Sequence, residues 1–179
     1  MTVVPRIEGM LAIRSSPARF LDAFEARVGA GLLTGQPHPR SRYHARRADD
    51  HRLNVSAADW WTAMNVGLND LDLDVDAPGA VRYRVTFWRW AAYAIGFCAL
   101  LGTGGLAMLL TLDVRGYIAE HAGAPFPGSS TDQNLAVAWG MVLFWGFVWP
   151  WLLVALHKRP LARLVARLVS EVDAAAAGG

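Results

Sequence analysis

The sequence predicts an α+β cytosolic domain, a helix laid on an antiparallel sheet, followed by a two-helix transmembrane hairpin and an amphipathic C-terminal helix. Three observations predict it. First, the stretches Trp90 to Leu112 and Leu135 to Leu156 contain no Asp, Glu, Lys, Arg or His. At about 1.5 Å of rise per residue each spans roughly 33 to 35 Å, against a hydrocarbon core of about 30 Å. Second, the residues ahead of them alternate apolar and polar in several runs of strand length, with one run of helical period among them. Third, apolar residues return at helical spacing behind the second stretch, with arginines between them. The chain then divides into a domain over 1–86, a first span with an aromatic interfacial start over 87–112, an external loop over 113–134, a second span over 135–157, and an amphipathic helix and tail over 158–179.

In chain order, Ile7, Gly9, Leu11 and Ile13 alternate with Arg6, Glu8, Met10 and Ala12, the pattern of a half-buried strand. A helix follows, with Ser16 as its cap and Pro17 at its first position. Its apolar stripe is Phe20, Leu21, Phe24, Val28 and Leu32, and Gly29, Gly31 and Gly35 weaken its far end. Thr34 to Pro39 reads as a loop. Arg42 to Arg47 and His51 to Ala57 read as a hairpin turning at Ala48, Asp49 and Asp50, with Leu53, Val55 and Ala57 on one face. Periodicity over Asp59 to Met64 is too short to separate a helical turn from a strand bulge.

The clearest hairpin comes next. Asp70, Asp72, Asp74 and Asp76 alternate with Leu71, Leu73 and Val75, and past Ala77, Pro78 and Gly79 the alternation resumes with Val81, Tyr83 and Val85 against Arg82, Arg84 and Thr86. An even register keeps both apolar sets on one face, which sets Asp74 opposite Arg82 and Asp72 opposite Arg84. Gly79 supplies the left-handed position of the turn. Beyond the second span, Pro160 is placed to start a helix whose apolar face is Leu161, Leu164, Val165, Leu168, Val169 and Val172.

Charge orients the chain. Sixteen of the 17 basic residues are Arg, and the loop between the spans holds only Arg115. Arg82, Arg84 and Arg89 precede the first span, and Lys158, Arg159, Arg163 and Arg167 follow the second. The positive-inside tendency therefore places both termini in the cytoplasm. The Arg-rich usage points to a GC-rich bacterial genome, hence a bacterial cytoplasmic membrane. No leader-like apolar run opens the chain, so insertion is expected to begin at the first span.

Candidate chemistry is sparse. The alternate aspartates lack an EF-hand, with Val75 where Gly and Val81 where Glu would stand, so they read as a solvated strand face paired to arginines. His38, His44, His51, His121 and His157 show no metal-ligand spacing, and surface or turn positions are their default. Ser15 and Ser16 read as a helix cap, Ser129 and Ser130 as loop, and Cys98 as packing within the first span. Gly102, Gly104 and Gly105 sit in an apolar run and form no phosphate loop. No catalytic residue, metal site or cofactor is expected. The run from Arg40 to Arg52 is interleaved with Asp49 and Asp50, which favours lipid headgroups over nucleic acid.

The spans carry more. Ala92, Gly96, Ala99 and Thr103 form a small-residue stripe that admits a close helix neighbour, with Ala136 and Gly140 as a shorter counterpart. The two spans packing on each other is one use of it, and an intermolecular contact is the other. Trp88, Arg89, Trp90 and Tyr93 before one span, with Trp149 and Trp151 near the end of the other, suit interfacial belts. Pro150 removes a backbone donor and bends the second span. The expected function is that of a non-enzymatic integral membrane protein whose membrane-apposed cytosolic domain binds a protein partner or anionic lipid headgroups, beside the bilayer itself and a membrane-protein partner or a second copy. One alternative is a module whose sheet and helix enclose a lipid or hydrophobic ligand. The other is a membrane-bound enzyme using scattered residues such as His44, Asp59 and Asp70.

Overall fold

A computed structural model describes residues 4–32, 42–77, 79–121 and 130–178, without the side chains of Asp76 and Ala77. The expected loop from Thr34 to Pro39 and the middle of the 113–134 segment lie outside the described residues. The chain forms two compact units, one of residues 1–91 with 156–179 and the other of residues 92–155.

The first unit is an α+β arrangement. Its strands are β1 (Arg6–Ala12), β2 (Tyr43–Asp49), β3 (Arg52–Ala57), β4 (Asp70–Ala77) and β5 (Ala80–Thr86). All pairings are antiparallel, in the order β1-β5-β4-β3-β2. Period-2 alternation makes the sheet two-faced. Leu53, Val55, Leu71, Leu73, Val75, Val81 and Val85 are buried on one side. Helix α1 (Pro17–Ala30) covers them on the β2 and β3 side, burying Phe20, Leu21, Phe24 and Val28. Leu161, Val165, Leu168, Val169 and Val172, from the end of the chain, complete the core.

The β4–β5 register matches the expectation, with Asp74 opposite Arg82, Asp72 opposite Arg84, and Gly79 at φ +81°. The ion pairs do not simply follow that register. Arg84 Nε lies 2.8 Å from Glu8 of β1, and Arg52 of β3 lies 3.7 Å from Asp74. A strand inside a sheet has two lateral neighbours, and its side chains reach either one. The first hairpin also turns more tightly than the sequence suggested: β2 runs to Asp49, and the Asp49 carboxylate accepts the His51 N–H at 2.9 Å.

The short segment with paired tryptophans is a helix, α2 (Trp60–Val66). Asp59 caps it by accepting the Thr62 N–H at 2.7 Å, and Gly67, at φ +71°, ends it. Ser16 stands at the start of α1 as expected but makes no capping bond through its side chain.

Two helical stretches are long and apolar enough to cross a membrane: α3 (Trp88–Thr111) and the helix from Thr131 to Gly178. The second comprises α5 (Thr131–Leu143), a π-helical turn at Phe144–Val148, and α6 (Trp149–Gly178). Before α5, the segment expected as loop holds a short helix, α4 (Val114–Glu120), capped by Asp113. The wide turn accommodates Pro150, because the Trp149 N–H reaches back to the Phe144 carbonyl where proline offers no donor. Pro160 starts no new helix; it lies inside α6 and is exposed, so it forfeits one backbone bond and buries nothing unfavourable.

Within the second unit the close helix crossing runs through Gly102 and Gly146. A Cβ built on Gly146 would stand 2.5 Å from the Gly102 Cα, a distance only two glycines permit. Gly105 faces Val142 beside it. A Cβ on Gly96 or Gly140 would meet nothing within 4 Å, and Ala92, Thr103 and Ala136 are exposed, with Ala99 half-buried. The small-residue stripe thus lies off this intrachain crossing.

Candidate functional site

The densest chemistry of the first unit lies where α3 and α6 meet the α+β fold. Strand β5 passes into α3 through the single residue Phe87, which is fully buried and donates its N–H to the Pro5 carbonyl at 3.0 Å. Asn69 locks the first turn of α3. Its Oδ1 accepts the Arg89 N–H at 3.1 Å, its own N–H donates to the Thr86 carbonyl, and its carbonyl accepts the Ala57 N–H. Asn69 is itself buried, and its Nδ2 has no hydrogen-bond partner among the described residues.

From α6, His157 closes the other side. Its Nε2 lies 3.2 Å from the Gly67 carbonyl, and its ring stacks on Trp90 at 4.1 Å between centroids, with Phe87 at 5.1 Å. Gly67 has two reasons to be glycine. Its positive φ disfavours a side chain, and a Cβ would collide with the His157 imidazole. The default reading of the histidines as surface groups therefore fails for His157, whose flat ring serves as packing between two aromatic side chains and a backbone carbonyl.

Around this junction lies an exposed aromatic surface. Trp60 and Trp61 of α2 are 44% and 70% exposed, and Trp88 is 49% exposed. Trp60 meets Trp88 edge-on at 6.2 Å, and the Arg89 guanidinium sits 5.5 Å from the Trp88 ring. The Thr62 N–H, working against desolvation, holds the capping Asp59 carboxyl below the usual carboxylate range.

A second constellation joins α6 to the turn between β1 and α1. The buried Asp173 carboxylate accepts the Arg14 N–H at 3.0 Å, the Ser15 N–H at 2.9 Å and the Ser15 hydroxyl at 2.6 Å. Burial opposes its ionisation, but these bonds outweigh burial and hold the carboxyl below its ordinary value. Ser15 thus serves Asp173, not the helix cap the sequence suggested. Nearby, Arg27 of α1 pairs with Glu171 at 3.3 Å.

The open face of the sheet carries Asp70, Asp72 and Asp74. Asp70 accepts from Thr86 at 3.1 Å and Asp72 from Asn54 at 2.7 Å. A depression of about 420 Å³ on this face is bordered by Arg52, Asp72, Asp74 and Arg84. Among the described residues, no three His, Cys, Asp or Glu side chains converge as a metal ion requires. His44 and Asp70 are separated by Ser56 of β3, and Asp59 is occupied with its cap.

The remaining expected interface residues are spread along the helices. Tyr93 is exposed and stacks on Phe97 at 5.9 Å, while Trp149 packs against Trp145 at 4.7 Å. Trp151, Arg159, Arg163 and Arg167 are exposed and Lys158 is half-buried. Sequence reasoning missed Asn69, Gly67, Trp60, Trp61 and Asp173. For α2 a signal was present, an Asp before and a Gly after a seven-residue segment, which is a cap at each end. Asn69 and Asp173 act across the fold, and no local pattern marks them. The chain matches no protein-family model, no curated protein and no solved structure.

Proposed function

We propose that the chain is a non-enzymatic integral membrane protein of a bacterial cytoplasmic membrane, with both termini cytoplasmic, whose α+β domain is held at the bilayer surface and binds a protein partner or lipid headgroups there. The observation that carries this reading is the linker-free junction. Asn69 holds the first turn of α3, and His157 ties α6 to Gly67, so the start of one helix suited to cross a membrane and the later part of the other are built into the α+β unit itself.

The alternative of an enclosed hydrophobic ligand has less in its favour, because Phe20, Leu21, Phe24, Leu71 and Val85 fill the space between sheet and helix with no accessible surface. The exposed stripe of Ala92, Gly96, Thr103, Ala136 and Gly140 supports a neighbouring helix from a second copy or another membrane protein. Native mass spectrometry of the full chain after gentle detergent extraction tests the reading. Copurifying subunits, a second copy or retained anionic lipid is the expected result. A lipid-free monomer that carries a bound apolar small molecule would turn the assignment to the ligand-binding alternative.

A further inference from the structure

Helix α2 contributes little to the core for the aromatic surface it carries. Thr62 and Ala63 are its buried residues, while Trp60 and Trp61 project outward. Adjacent exposed tryptophans mark a surface that is covered by something. Tryptophan combines a large apolar ring with one N–H donor and concentrates at the boundary between hydrocarbon and water.

What covers these rings follows from their neighbour. Trp60 lies edge-on to Trp88, the first residue of α3, two positions before the uncharged run begins at Trp90. Cations rim the cluster as well. Arg89 lies over Trp88, and exposed Arg42, whose charge acts on the capping Asp59, is tied by its backbone N–H to the Thr62 hydroxyl at 3.3 Å. Aromatic rings at the depth of a helix start, edged by guanidinium groups, match an interface of anionic headgroups over acyl chains.

We infer that α2 is an interfacial anchor: Trp60 and Trp61, with Trp88, sit in the headgroup layer of the same bilayer that α3 enters. The inference rests on the membrane reading proposed above and adds to it a lipid contact made by α2.

The test uses the full chain carrying Cys98→Ala, reconstituted in phosphatidylcholine and phosphatidylglycerol liposomes. A nitroxide is placed in turn at Trp61→Cys, Trp60→Cys, Ala48→Cys and Leu100→Cys. The ratio of collisions with oxygen to collisions with an aqueous nickel chelate reports depth. Positions 60 and 61 should give a ratio several-fold above that at 48 and below that at 100. A ratio at 60 and 61 equal to that at 48, with 100 deep, overturns the inference while leaving the spans in place. An aqueous ratio at 100 overturns the membrane reading, and the inference falls with it.

Discussion

Replacing Asp173 by Ala should undock the C-terminal half of α6. The carboxylate accepts two backbone N–H groups and one hydroxyl, all reached from the turn before α1. The Ser15 hydroxyl can rotate toward another acceptor, but the Arg14 and Ser15 amides cannot, and a buried polar group left unpaired costs about 1–3 kcal/mol. Allowing for partial solvation at Arg14, the two amides together cost about 2–4 kcal/mol. At about 1.4 kcal/mol per tenfold, the open population then rises roughly 30- to 700-fold. A segment this short has little helical stability once undocked, so hydrogen exchange over residues 161–172 of the full chain in nanodiscs reads the change directly. Asp173→Asn should fall between parent and Ala, since its amide accepts at one oxygen only. The pH dependence has a defined sign. Asp173 has a folded pKa below its unfolded value of about 3.9, so its stabilisation is complete above that value and is lost as pH falls through the folded pKa. Parent exchange, corrected for the intrinsic rate, should approach that of Asp173→Ala in acid, while the variant itself changes little. Equal protection at 161–172 in parent and Asp173→Ala at pH 7 would refute the reasoning.

Three further outcomes are expected. Gly67→Ala should destabilise the first unit by about 1–3 kcal/mol through its positive φ and the collision with His157; adding His157→Ala should recover the steric part, and a double-mutant cycle in urea that shows no coupling would contradict the packing. In a Cys98→Ala background, Gly105→Cys with Val142→Cys should oxidise readily, because a Cβ at 105 lies 3.6 Å from the Val142 Cβ, within disulfide range; Gly146→Leu should cut the yield several-fold on a non-reducing gel. Topology is checked in intact cells, where an impermeant maleimide should label Glu120→Cys and spare Ala48→Cys; labelling of the second alone reverses the proposed orientation.

Local pattern made much of this fold legible. Alternation at 70–86 specified the β4–β5 register because a one-residue slip would have exposed Leu71, Leu73 and Val75. The stripe Phe20, Leu21, Phe24, Val28 and Leu32 is buried throughout. Other features depend on contacts far apart in sequence. Nothing in Arg6 to Ala12 says that its partner is β5, and nothing near Pro160 says that helix on both sides is held by packing strong enough to carry a proline. The aromatic junction was half legible. Trp88, Arg89 and Trp90 could be marked as a cluster from their place before an apolar run, whereas Trp60, Trp61 and His157 join them only through the fold.

The pairing of β1 with β5 also sets an order on synthesis. The first strand waits for the last one, and β5 leads straight into α3, so the sheet closes only as a candidate span follows it out. Leu161, Val165 and Leu168, which finish the apolar core, emerge later still, after both apolar stretches. Until then part of the sheet's inner face is bare, a condition that invites aggregation or capture by a chaperone. Completion of the α+β fold is thereby tied to synthesis of both apolar helices, and a chain stalled between Leu112 and Leu156 would carry an unfinished core as the mark of its failure.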